Sequence, residues 1–74
     1  MSRLIRLDQT GHTELAQWSV GDPTSVQRAR AAMEAELQRG YFAVAGASGP
    51  DAEQVRELPP DAEIVILRRP IAGG

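Results

Sequence analysis

The C-terminal stretch of this sequence holds its clearest candidate for chemical reactivity. The last twelve residues read EIVILRRPIAGG. The four consecutive apolar residues from Ile64 to Leu67 predict a strand that is buried at the centre of a sheet. Pro70 has no backbone N–H to donate to a neighbouring strand, and Gly73 and Gly74 follow it closely. The strand is therefore not expected to continue to residue 74. We therefore predict a thin tail that presents the Gly74 carboxylate away from the domain.

Other side chains that could carry chemistry are scarce. The sequence has no cysteine, and its single histidine, His12, is expected on the surface in a loop beside Gly11. No carboxylates pair at a spacing typical of acid–base catalysis. The segment 46–51 has neither the lysine nor the spacing of a phosphate-binding loop. We therefore expect no catalytic residue and no metal site, and a protein that is not an enzyme.

Length and charge exclude further classes. A chain of 74 residues forms one small domain with a small core. A formal net charge of −2 argues against nucleic-acid binding, and no segment is apolar for long enough to span a membrane or act as a signal peptide. A cytoplasmic protein is expected. All eight basic residues are arginine, so the chain has no lysine amine to accept an acyl group. In an acylation reaction it could serve only as the donor.

The first part of the chain has the pattern of a β-hairpin. Ser2–Asp8 predicts one strand, residues 9–12 a loop, and Thr13–Val20 the return strand. Leu15 and Trp18 share a face of that second strand only if a bulge shifts the register.

A helix is predicted next. Asp22 can cap free amides at a helix start, and Pro23 suits the first helical position because it has no amide donor to leave unpaired. The helix should run from Pro23 to Arg39 and end before Gly40, which can adopt a left-handed conformation. Its apolar stripe consists of Val26, Ala29, Met33 and Leu37.

Three more strands complete an α+β domain. Tyr41–Ala45 predicts a third strand and Gln54–Leu58 a short edge strand. The last strand is expected beside the first and parallel to it, because the helical crossover lies between them. One helix packed on a mixed sheet of four or five strands, in the order β-β-α-β-(β)-β, is the topology of the β-grasp. We expect residues 1–67 to form this domain and residues 68–74 a flexible tail.

At this point the chain resembles the ubiquitin-like proteins in its length, its element order and its C-terminal Gly73-Gly74. Its tail is similar to that of the small sulfur carriers of molybdopterin and thiamine biosynthesis. Those carriers often end in a turn, an apolar strand, a proline-containing segment and Gly-Gly, and PDAEIVIL followed by PIAGG matches this pattern. The N-terminal two-thirds match in element order only. Arg69 stands where the carriers often have a further proline, and Arg68-Arg69 is closer to the arginine-rich tail of ubiquitin.

The resemblance implies that a partner activating enzyme uses ATP to adenylate the carboxylate of Gly74. Gly73 and Gly74 would then be the site of activation or conjugation. The partner-binding tail would consist of Arg68, Arg69, Pro70 and Ile71. The chain itself would need no cofactor. A sulfur carrier and a protein modifier, including bacterial modifiers and their phage-associated relatives, both fit this pattern.

A different class of function is a non-catalytic interaction module, such as a phage or accessory protein that binds through its sheet face. Leu4, Val65 and Leu67 would form an apolar docking patch if they lay on the sheet face opposite the helix. If loops or a second copy covered them, they would have no such role. Removing the tail should abolish the first function and spare the second.

Overall fold

A computed structural model of the chain describes residues 1–9, 11–46 and 53–69. Within these ranges the chain forms five strands and one helix, which confirms the predicted α+β class with one helix on a mixed sheet. The elements are β1 (Ser2–Asp8), β2 (Gly11–Trp18), α1 (Pro23–Gln38), β3 (Phe42–Ala45), β4 (Glu53–Val55) and β5 (Ile64–Arg68). β4 ends earlier than predicted, because the chain turns to bury Leu58 in the core at 2% exposure.

The sheet has the strand order β2-β1-β5-β3-β4. β5 is central, and it pairs parallel with β1 and antiparallel with β3. In the parallel pair Leu4 lies opposite Val65 and Arg6 opposite Leu67, as expected for a strand that returns after a helical crossover. β5 therefore has hydrogen-bonding neighbours on both sides, which suits its continuous apolar sequence.

A bulge in β2 resolves the irregular pattern of that strand. Leu4 pairs with Ala16 but Ile5 pairs with Glu14, so Leu15 is the extra residue. The shift lets both Leu15 and Trp18 pack on the core, and Trp18 is fully buried. The indole nitrogen of Trp18 donates a hydrogen bond of 3.0 Å to the carbonyl oxygen of Pro60, which attaches the turn before β5 to the end of β2.

The helix begins and ends where the sequence indicates, to within one residue. The Asp22 carboxylate accepts a hydrogen bond of 3.4 Å from the amide of Ser25, and Pro23 is the first helical residue. Gly40 adopts a φ of 100°, which closes the last turn. The helix packs Ala29 and Met33 onto the sheet, and together with strand and loop residues they form the core: Leu4, Trp18, Ala29, Met33, Ala43, Leu58, Val65 and Leu67.

The hypothesis that Leu4, Val65 and Leu67 form an exposed docking patch is wrong. All three are fully buried on the inner face of the sheet, against the helix. The register explains why they share that face, since Leu4 lies opposite Val65 and both alternate with outward-pointing neighbours. A strand that is apolar on both faces gives no sign of which face the helix will cover.

We expect Leu67→Ala to lower the free energy of unfolding by about 2–5 kcal/mol, because it leaves a cavity in the core. The matched variant Ile66→Ala changes the neighbouring residue on the uncovered face and should lower it by clearly less. Urea denaturation followed by circular dichroism measures both values. Equal losses would show that the two faces of β5 are buried to the same extent.

Candidate functional site at the C-terminal end of β5

The root of the predicted tail lies at the end of the central strand. Arg68 is the last residue of β5 and pairs with Phe42 of β3. The guanidinium of Arg69 lies 5.8 Å from the centre of the Tyr41 ring, a cation–π contact that orients the first residue beyond the strand. Both arginines are exposed. The other predicted tail residues, Pro70, Ile71, Gly73 and Gly74, lie outside the described residues.

A cluster of ion pairs lies beside this root. Glu36 of α1 is only 7% exposed, and its Oε1 accepts from Nη1 of Arg6 at 3.3 Å and from Nη1 of Arg39 at 3.5 Å. Nε of Arg6 also lies 3.5 Å from a carboxylate oxygen of Asp8. Because Arg6 is opposite Leu67 in the sheet register, the cluster lies next to the last residues of β5.

The cluster is incompletely satisfied. Oε2 of Glu36 and Nε of Arg6 are buried and make no hydrogen bond. Removing two charged groups from water is expensive, and an ion pair with unused hydrogen-bonding capacity recovers only part of that cost. We infer that the cluster contributes more to the alignment of α1 with β1 than to the net stability of the domain.

Sequence reasoning missed the role of Arg6. A signal was present. Glu36 continues the buried helical face of Ala29 and Met33 at helical spacing, so a carboxylate interrupts the side of the helix that faces the sheet. Arg6 lies two residues after Leu4 and shares the inner face of β1 with it. A lone carboxylate on one buried face and a lone guanidinium on the other are expected to meet.

This end of the molecule is positively charged. Four arginines and two carboxylates belong to it, a formal sum of +2 in a chain whose net charge is −2. They are Arg6, Arg39, Arg68, Arg69, Asp8 and Glu36. The remainder of the chain therefore carries −4. Such an asymmetric distribution favours the approach of an acidic surface from the end at which the tail begins.

The face of the sheet opposite α1 carries a second candidate surface. Ile5, Ile66 and Val44 lie in one register row across β1, β5 and β3, with Glu14 and Gln54 at the ends of the row. We call the apolar residues of this face the outer-face patch: Ile5, Leu7, Phe42, Val44, Ile64 and Ile66. All six are half-buried, and none packs against the core cluster. No helix covers this face in the described part of the chain.

Metal binding finds no support among the described residues, which hold no group of three or more potential ligands. His12 is an exposed residue of β2 opposite Leu7, and not part of a loop as predicted.

The described part of the chain contains no helix with the length and apolar character needed to cross a bilayer. Comparison of the chain with protein-family models, with curated proteins and with solved structures found no match. Only the residues of the candidate surfaces themselves therefore point to a function.

We expect Glu36→Met to destabilise the domain by about 1–3 kcal/mol, because the partly buried guanidinium of Arg6 loses its contact with Glu36 and keeps the carboxylate of Asp8. The double variant Arg6→Met/Glu36→Met removes both charges and keeps apolar volume, so it should recover most of that loss. Chemical denaturation of the wild type, Arg6→Met, Glu36→Met and the double variant forms a complete cycle. Additive losses would mean that the two side chains do not interact.

Proposed function

We propose that this chain is a ubiquitin-like protein of the β-grasp fold whose C-terminal carboxylate, on Gly74, is adenylated by a partner enzyme. It would then serve as a sulfur carrier or as a protein modifier. One observation carries the proposal: the strand that leads into the tail is the central strand of the sheet, and its last residue, Arg68, and the residue after it, Arg69, are both exposed. The folded domain runs to Arg68, the last residue of β5, which is one residue beyond the predicted end at 67, and we take residues 69–74 as the tail.

The position of β5 suits a tail that another protein must hold. Hydrogen bonds to β1 on one side and β3 on the other fix the strand, and Val65 and Leu67 anchor it in the core. A partner can therefore bind the tail without unfolding its root. A strand at the edge of the sheet would have hydrogen bonds on one side only.

The sequence of the tail suits a narrow channel. Glycine at positions 73 and 74 allows the backbone to approach a nucleotide closely, because no side chain intervenes. Pro70 restricts the backbone to extended conformations, which lowers the entropy lost when the tail is bound. ATP is bound by the partner enzyme in this scheme, and the chain contributes neither a catalytic base nor a cofactor.

The positive charge around the tail root would select the partner. Arg39, Arg68 and Arg69 are exposed, and the contact with Tyr41 holds Arg69 at the point where the tail begins. Guanidinium groups pair well with carboxylates in two-point contacts. We propose that the activating enzyme presents acidic residues around the entrance of its nucleotide channel. Nucleic acid and membrane have no part in this proposal, and we place the protein in the cytoplasm.

The test uses a purified enzyme of the ubiquitin-activating type from the same genome, and ATP–pyrophosphate exchange as the measurement. The full chain should support exchange. Deletion of Gly73 and Gly74, or addition of one serine after Gly74, should abolish it because the required carboxylate is lost or displaced. Arg68→Ala/Arg69→Ala should raise the apparent KM by about tenfold with little effect on kcat, as expected for two lost charge contacts.

Arg28→Ala provides the control for these measurements, because it removes one exposed arginine from the first half of α1, away from the helix end that leads to Arg39. It should leave exchange unchanged. Exchange that persists after deletion of Gly73 and Gly74 would rule out activation at the tail.

The outer-face patch supports a second candidate, a non-catalytic interaction module. Its central row of Ile5, Ile66 and Val44 crosses three adjacent strands, so it offers a nearly flat apolar surface with polar ends. A partner protein with a complementary apolar surface would bury it. This candidate needs neither ATP nor the tail.

Affinity purification and reconstituted binding distinguish the two candidates. For an interaction module, deletion of residues 70–74 should leave the partner bound, whereas Val44→Thr/Ile66→Thr should weaken binding by about tenfold because it removes apolar area while keeping β-branched side chains. Thr13→Val, on β2, is the control. Loss of the partner on deletion of the tail, with the threonine variant still bound, would reject the module.

A further inference from the structure

A groove lies on the helix side of the sheet, between the second half of α1 and the segment that follows β4. Its volume is about 490 Å³. This is within the range of about 300–1,000 Å³ that is usual for ligand sites. It shares no residue with the tail root or with the outer-face patch.

The floor of the groove is apolar and well fixed. Met33 and Leu58 line it and are 1% and 2% exposed, so they are continuous with the core. Leu37 also lines it, is half-buried and packs against the same core. Leu37 is therefore the leucine or methionine of the groove that a side chain from outside can contact.

The rim of the groove is charged and unpaired. It comprises Arg30 and Glu34 from α1, and Arg56 and Glu57 from the opposite wall. All four are exposed, and none of their side chains takes part in an ion pair or a hydrogen bond within the described part of the chain.

The absence of a pair between Arg30 and Glu34 has a physical reason. They are one helical turn apart, but an arginine that precedes a glutamate is the weaker order for such a pair. Nearby, Glu36 and Arg39 do form an ion pair. The rim therefore offers two guanidinium groups and two carboxylates whose hydrogen-bonding capacity is unused.

We propose that this groove binds a peptide segment of a partner protein in which one apolar side chain stands between an acidic and a basic residue. The apolar side chain packs against Leu37, which has accessible surface, because Met33 and Leu58 below it are already almost fully buried. The acidic residue pairs with Arg30 or Arg56, and the basic residue pairs with Glu34 or Glu57. A segment with charges of one sign only would meet repulsion from half of the rim.

A peptide fits this groove better than a small polar metabolite. The floor supplies no buried polar group that would orient such a molecule, since its lining residues are leucine and methionine. The selectivity comes from the rim, where charges are spaced along two walls, and an extended chain can reach both.

The test titrates fluorescent nine-residue peptides into the full ¹⁵N-labelled chain. The probes have the central triplets Asp-Leu-Lys, Asp-Leu-Asp, Lys-Leu-Lys and Asp-Gly-Lys in a neutral Ser/Gly background. We expect the first to bind at least about threefold more tightly than each like-charged probe, from the loss of one favourable contact and the gain of one unfavourable contact. The glycine probe should bind more weakly still. Amide shifts should map to residues 30–38 and 56–58.

Charge reversals on the protein test the same site. Glu34→Arg and Arg56→Glu should each weaken binding of the Asp-Leu-Lys probe by about threefold or more. Arg28→Glu is the control, because Arg28 is exposed on α1 but does not line the groove. All three substitutions are at exposed positions, so the variants should fold as the wild type does. Circular dichroism checks this.

Deletion of Gly73 and Gly74 should leave binding of the probe unchanged, so a failure of the proposed function and a failure of this inference are distinguishable. Three results would overturn the inference. They are equal binding of all probes, shifts that map outside the groove, and no response to the charge reversals.

Discussion

The parallel pairing of β1 with β5 is the constraint on which the rest of the structure depends. It joins strands from the two ends of the domain, so the intervening chain must cross over one face of the sheet, and α1 makes that crossing. The face that α1 covers becomes the core, with Leu4, Val65 and Leu67 fully buried. The other face stays uncovered in the described chain, because a domain with a single helix can cover only one side of its sheet.

The same pairing determines what surrounds the tail root. Opposite Leu67 the register places Arg6, whose guanidinium reaches Glu36 across the interface between sheet and helix. Apolar residues at this interface would pack without the free-energy cost of removing charged groups from water. The effect of the charged residues is to fix the end of α1 relative to the end of β5 and to keep positive charge near Arg68 and Arg69. That arrangement suits the recognition of the tail that we propose.

Much of the secondary structure could be predicted from local sequence. Asp22-Pro23 and Gly40 marked the ends of α1, and the irregular spacing of Leu15 and Trp18 indicated the bulge in β2. The apolar run of β5 indicated a central strand. The candidate site at the end of β5 was harder to predict from local sequence. Arg68 and Arg69 were identified as tail residues, but Arg6 lies near them only because of the β1–β5 register. Glu36, which binds Arg6 and Arg39, is thirty residues away from Arg6 in the sequence.

Sequence by itself determined the features that depend on neighbouring residues: caps, turns, alternation along strands and the burial of a wholly apolar segment. These follow from backbone geometry and from the transfer of apolar groups out of water, both of which act locally. Tertiary structure alone decided which face of the sheet meets the helix. Alternation divides a strand into two faces but does not say which is inside, and β5 is apolar on both, so the choice was left to the path of the crossover. That choice buried Leu4, Val65 and Leu67, left Ile5, Val44 and Ile66 half-buried on the other face, and formed the charged rim between α1 and residues 56–58.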